Sequence, residues 1–363
     1  MKSYKINQID YKRIIGRNVV DAEKKSELNL FWAASALEVK VRAKEVRAVI
    51  ESDYEDQEIW ISVYINHSEI SRFMVENNGE KNICLARNID PSRENVITIY
   101  KETQPMPGDK KHSLVIKEII LDDEGSFVPF GKEVSPLKIE FIGDSLTSGE
   151  GLRGEVSQME WVPSFFSASR TYASQISRKL NCYFSCVSQS GWGLRWSWDG
   201  LKENNVPSLY NQVCCLTGED EPYDFNLVGD ANRPGFDFVV ISLGTNDNNA
   251  LNLPGKDCSD SEENRRIFVD AAVAFLKEIK SKNPSAKILW CYGMLRLNIV
   301  PALIKHAVEN YKQITGDSDV WTLEFDDMDT VELTDEEKGS RAHPGEKTHR
   351  LAAEKIIKFL QNL

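Results

Sequence analysis

The feature that most constrains this chain is a change of hydrophobic period near residue 130. Before it, short runs alternate with period two. Leu37 to Ala43 alternates apolar and charged residues without a break, and Ile59–Ile65, Asn95–Tyr100 and Ser113–Leu121 are β-branched and aromatic. Polar turns such as Glu76–Gly79 and Asp53–Asp56 separate such runs, a pattern of antiparallel strands rather than helices. Roughly eight short strands with no clear helix predict a β-sandwich or jelly roll over residues 1–130. The stretch Gly125–Pro136 holds two prolines and two glycines and marks the boundary. Beyond it, short apolar runs alternate with helical patterns. Strands are expected at Lys138–Ile142, Cys182–Val187, Phe236–Leu243, Lys287–Tyr292 and Val320–Phe325. Helices are expected at Thr171–Leu180, Glu262–Ser281, Val300–Tyr311 and Gly345–Leu360. That alternation predicts a parallel sheet with helices on both faces over residues 137–363, a three-layer α/β domain. The segment from Gly193 to Gly235 has no period and is too long for a bare connection, which suggests a functional role. A length of 363 residues suits two domains.

Charge narrows the function. Forty-four Lys and Arg against 56 Asp and Glu give a net charge of −12, which argues against non-specific binding to nucleic acid or anionic membranes. No apolar run approaches the length of a membrane span. The opening residues MKSYKINQIDYKR lack the apolar core of a secretory signal, and the seven cysteines are odd in number with no C-x-x-C pair. The expectation is a cytoplasmic protein without a metal or cofactor. Cys182 and Cys186 read as positions on a buried strand.

Four segments carry the chemistry. A buried strand runs into Gly143-Asp144-Ser145, so Ser145 stands at the carboxyl end of the first strand, where ligands of such sheets bind. Taken alone, Gly-Asp-Ser is also ordinary turn chemistry. Thr147 stands where a G-x-S-x-G elbow needs its last glycine, so the common α/β-hydrolase arrangement is excluded. The second strand leads into Ser188-Gln-Ser-Gly191 and the third into Gly244-Thr-Asn246-Asp247, bringing amide donors to the same rim. Backbone N–H groups and an Asn side chain are suitable parts for holding a tetrahedral oxyanion. His343, before Pro344 and the last helix, is a candidate base, whereas His349 falls one turn inside that helix.

Ser, Gly, Asn and His in this order, one per segment, resemble the SGNH (GDSL-type) hydrolases. The resemblance implies Ser145 as nucleophile, His343 as general base, and Ser145 N–H, Gly191 N–H and the Asn246 side chain as the oxyanion hole. The N-terminal β domain, with Gly16-Arg17 near its start and Phe31-Trp32 soon after, is similar to carbohydrate esterase family 2, whose members join a jelly roll to this hydrolase. That likeness implies a serine esterase removing O-acetyl groups from xylan, mannan or glucomannan, with an acetylated oligosaccharide as partner. Another small ester (lipid, thioester or peptidoglycan acetate), or a carbohydrate-binding protein with a degenerate hydrolase half, are the alternative readings.

The sequence departs from the superfamily at one position. An Asp commonly stands three residues before the His, and here that residue is Ser340. The resemblance implies a Ser–His dyad with a backbone carbonyl on the second ring nitrogen; the nearest acids for a displaced triad are Asp335, Glu336 and Glu337. The family's aromatic beside the His is replaced by Ala342. Trp192, Trp196 and Trp198 could supply a sugar platform or be core tryptophans, and Asp144 is a further candidate substrate contact. Gly149-Glu-Gly151-Leu-Arg-Gly154 matches a dinucleotide fingerprint literally but begins too far beyond its strand, and no acidic residue closes the next strand.

Overall fold

A computed structural model describes residues 1–131, 135–228, 235–325 and 338–363. Residues up to Phe127 form eleven strands in two antiparallel sheets, one five-stranded and one six-stranded. Ala36–Arg42, Ile59–Ile65, Asn95–Lys101 and Ser113–Leu121 are runs the alternation predicts, whereas the long strands Glu45–Asp53, Ser68–Val75 and Lys81–Arg87 are not among the runs it singles out. The additional ones, such as Lys2–Lys5, Leu28–Leu30 and Ser126–Phe127, are too short to display a period. Strand Glu45–Asp53 shows the sandwich pattern, with Val46, Ala48, Ile50 and Ser52 inward and the residues between them facing out.

The central strands of the six-stranded sheet do not alternate. Ala36–Arg42 and Asn95–Lys101 are buried along most of their length. Their outer face packs on the second domain, where Ala36, Tyr64 and Tyr100 join Phe141, Tyr172 and Phe184 in one cluster. The interface also contains a buried ion pair, Arg17 Nη2 to Glu140 Oε1 at 2.9 Å, with both side chains fully buried. The Arg17 guanidinium lies against the rings of Tyr210, Tyr223 and Phe225. Trp32 Nε1 donates to the Val213 carbonyl at 2.6 Å. Gly16-Arg17 and Phe31-Trp32 thus join the domains.

The second domain is a parallel sheet with spatial order Tyr183–Ser188, Lys138–Gly143, Phe238–Ser242, Lys287–Tyr292, Val320–Glu324. Period two sorts its side chains. Ile139, Phe141, Val240 and Leu289 face helices Tyr172–Leu180 and Glu346–Leu360, whereas Ile142, Val239, Ile241 and Ile288 face Glu262–Lys282 and Val300–Thr315. The chain leaves the first strand toward one edge and returns for the third on the other side. The rim between those two strands is the switch point at which ligands bind in such sheets.

The aperiodic segment after Gly193 is a packed excursion. It carries the hairpin Gln212–Cys214 with Glu219–Pro222, and it buries Leu194, Trp196, Val206 and Tyr210. No helix among the described residues is long and apolar enough to cross a membrane, and no group of three or more metal-ligating side chains occurs among them. The seven cysteines are free; Cys186 lies buried on its strand and Cys182 just before it.

Candidate active site

Each strand end at the switch point delivers one part of the site. After Gly143 the chain enters the short helix Ser145–Ser148, whose N-cap is Asp144. Asp144 Oδ1 accepts from Leu146 N at 3.0 Å, so its side chain turns back into the turn it caps. The residue is fully buried, which corrects the expectation that it touches substrate. Burial pushes its carboxyl up to about 7. Ser145 emerges one residue later with its hydroxyl at the surface of a cavity of about 340 Å³.

His343 enters from the loop before the last helix. Its Nε2 lies 2.8 Å from Ser145 Oγ and its Nδ1 lies 3.0 Å from the Arg341 carbonyl oxygen. A carbonyl only accepts, so the Nδ1 carries the proton and Nε2 is free to accept from the serine hydroxyl. The carbonyl is turned toward the ring because Arg341 and Ala342 both adopt left-handed backbone, φ 56° and 57°. Two adjacent non-glycine residues there cost on the order of 1–3 kcal/mol each and must be held in place. Arg341 N donates to Gln158 O at 2.9 Å, Nε to Glu150 Oε1 at 2.8 Å and Nη1 to Met159 O at 2.8 Å. Glu150 is itself buried, and its other oxygen stands 3.8 Å from His343 Nε2.

The literal G-x-G-x-x-G is the bed for this loop. A Cβ on Gly151, whose φ is +72°, would meet Ser340 O at 2.5 Å, and one on Gly154 would meet Ser340 Oγ at 2.2 Å. These glycines let the histidine loop approach the loop after Ser145. Ser340, at the position where the superfamily commonly has Asp, is fully buried, and its hydroxyl reaches Gly151 O at 3.4 Å rather than the imidazole. Asp335, Glu336 and Glu337 lie outside the described residues.

Gly191 and Asn246 line the same cavity. Gly191 has φ +78°, and a Cβ there would sit 3.0 Å from Trp198 Cδ1. Neither Ser145 N–H nor Gly191 N–H donates to another acceptor among the described residues. Asn246 Nδ2 donates one hydrogen to Trp192 O at 2.9 Å, which leaves the other for a ligand. Asp247 fixes the intervening loop by accepting from the amides of Leu194, Arg195 and Trp196 at 2.7, 2.7 and 2.9 Å. Burial pushes that carboxyl up to about 6.

The tryptophans separate. Trp198 is exposed and lines the cavity. Trp196 is buried in the core, which corrects its assignment as a platform. Trp192 is half-buried; its carbonyl holds Asn246, and the residue lines a neighbouring groove instead of the Ser145 cavity. His349 is buried inside its helix and accepts from Tyr172 N at 3.2 Å, so it belongs to the core. Sequence reasoning missed Glu150, Trp161 and Arg341, all of which line the cavity. The one available signal was Glu150, set between the glycines that follow the Gly143-Asp144-Ser145 segment.

The GDSL-like lipase/acylhydrolase family matches residues 139–356. Over the whole chain, the structure is similar to that of an acetyl xylan esterase (Est2A) from the rumen bacterium Butyrivibrio proteoclasticus. That similarity has a TM-score of 0.87 at 32% identity, covering 100% of this chain and 99% of that one. A family two carbohydrate esterase from Clostridium thermocellum, solved with cellohexaose, has a TM-score of 0.79 at 22% identity, covering 97% and 98%, and shows the same fold. Among curated proteins, Cellulase/esterase CelE of Acetivibrio thermocellus is 25% identical over 340 residues, 91% of this chain. The chain spans only 37% of that relative's length. The chain therefore belongs to the GDSL-like lipase/acylhydrolase family.

Proposed function

We propose that this protein is a serine esterase that removes O-acetyl groups from xylan or mannan-type oligosaccharides by a Ser145–His343 mechanism. The observation that carries the reading is the relay from Ser145 Oγ through Nε2 to Nδ1 and the Arg341 carbonyl, at 2.8 and 3.0 Å. His343 takes the hydroxyl proton as Ser145 Oγ bonds to the acetyl carbonyl carbon. The carbonyl oxygen gains the negative charge, and Ser145 N–H, Gly191 N–H and Asn246 Nδ2 are the donors for it. Collapse breaks the bond to the sugar oxygen, which leaves with the proton from His343. Water then attacks the acetyl-serine, gives its proton to His343, and acetate departs as Ser145 regains its hydrogen.

The choice of a sugar ester rests on the whole-chain likeness to an acetyl xylan esterase and on the exposed Trp198 at the cavity mouth. The test is turnover of p-nitrophenyl acetate, followed by NMR of the products from acetylated xylan and glucomannan fragments. Release of acetate from neither polymer would refute the substrate class.

A further inference from the structure

Beside the Ser145 cavity lies a second depression of about 470 Å³, and the two share Trp161 and Ser190. One wall is the hydrolase segment Gln189–Trp192; the other comes from the β domain, residues 55–57 and 104–109. Its walls are fixed across the domain boundary. Gln104 Oε1 accepts from Ser190 N at 2.9 Å, immediately before Gly191. Asp109 accepts from Glu55 N at 2.8 Å and Lys111 N at 3.0 Å, which pins the two β-domain loops to each other. The groove is therefore pre-formed and continuous with the reaction centre.

Its chemistry is specific. Trp161 and Trp192 offer aromatic surface, and Gln57 offers an amide at a half-buried position. Glu55 and Asp56 are exposed at the edge, and no cationic side chain among the described residues is part of the lining. The neighbouring Lys111 is drawn to Glu55 at 3.6 Å. Aromatic faces with amide and carboxylate acceptors suit an uncharged pyranose chain, whereas a uronic acid would meet like charge at the rim.

We propose that this inter-domain groove is a subsite for the sugar residues next to the acetylated unit, and that its acidic rim favours neutral stretches of chain over uronic-acid-substituted ones. The proposal rests on the sugar-ester reading above, but its test has a separate readout. Binding of unacetylated xylobiose, xylotetraose and a glucuronic-acid-substituted xylotriose to the full chain is measured by calorimetry, alongside turnover of p-nitrophenyl acetate. The tetraose should bind at least about tenfold tighter than the biose and the uronic acid form at least about fivefold more weakly than the tetraose. Gln57→Ala should erase most of the tetraose gain while p-nitrophenyl acetate turnover stays within about twofold. Asp56→Lys with Glu55→Lys should abolish the discrimination against the uronic acid. Equal affinity for biose and tetraose, or no response to these substitutions, would overturn the subsite. Failure to hydrolyse any acetyl ester, with the binding pattern intact, would instead sink the esterase reading.

Discussion

Placing the superfamily's missing acid back into this chain, as Ser340→Asp, should damage the protein instead of improving it. The Ser340 side chain is fully buried and pressed between Gly151 and Gly154, whose absent Cβ atoms would lie 3.2 and 2.2 Å from its hydroxyl. Aspartate adds two heavy atoms where no space exists. Overpacking of this kind costs about 1–3 kcal/mol, and an unpaired buried carboxylate costs several more unless it stays protonated. A loss on the order of 3 kcal/mol corresponds to a fall in Tm of about 6–12 °C for a domain of this size. Relief requires the loop to move, yet that loop aims the Arg341 carbonyl at Nδ1 and docks Arg341 on Glu150. A misdirected imidazole should lower kcat by tenfold or more, since about 1.4 kcal/mol of lost transition-state stabilisation suffices. Ser340→Ala is the control. It removes only the 3.4 Å contact to Gly151 O and should leave kcat within about threefold. Thermal unfolding and p-nitrophenyl acetate kinetics of the three proteins decide the matter. A Ser340→Asp protein with unchanged Tm and equal or higher kcat would refute the argument that the backbone carbonyl occupies the acid's place.

The other predictions concern the site and its buried acids. Ser145→Ala and His343→Ala should each reduce kcat by about 10³ or more in folded protein, whereas the amide variants of Asp335, Glu336 and Glu337 should each cost less than about tenfold. A loss from one of those acids comparable to His343→Ala would reveal a displaced triad. Asn246→Ala should lower kcat by roughly 10²–10³ with a smaller change in KM, because its free amide hydrogen acts mainly in the transition state; a rise in KM alone would make it a binding residue. Asp144 is buried with its carboxyl raised to about 7, so its contribution to stability is fully present below the ordinary carboxylate value and lost as pH rises toward 7. Asp144→Asn should therefore flatten the decline in Tm between about pH 4 and 7, an effect on the order of 2–4 kcal/mol. Parallel Tm profiles for the two proteins would contradict the burial argument.

The bed under the histidine loop accounts for residues that otherwise look unrelated. Gly151 and Gly154 admit Ser340, Glu150 holds the Arg341 side chain, and Gln158 and Met159 hold its main chain and its guanidinium. The strained pair Arg341-Ala342 persists because these contacts act together. They substitute geometry for a carboxylate. The imidazole is oriented, while under the proposed Ser145–His343 mechanism the imidazolium would receive less charge stabilisation than an Asp would provide.

Periodicity is a local property, and it was enough to divide this chain into a β-sandwich and a parallel α/β domain, because a strand or an amphipathic helix must bury one face wherever it lies. The position of Ser145, Gly191, Asn246 and His343 at element ends was equally legible, since parallel strands bring all their carboxyl ends to one rim. Direction was not. Asp144 directly precedes Ser145 and Trp196 lies in the segment just after Gly191, yet one caps a helix and the other fills the core. Conversely, Glu150, Trp161 and Arg341 converge on the cavity from loops whose course depends on what they pack against. The same holds for the β domain: its alternation announced a sandwich, but only packing against the hydrolase brought Gln104 to the residue before Gly191. A loop lacks a repeating pattern that would force one face inward, so its path is settled by tertiary contacts between segments far apart in sequence.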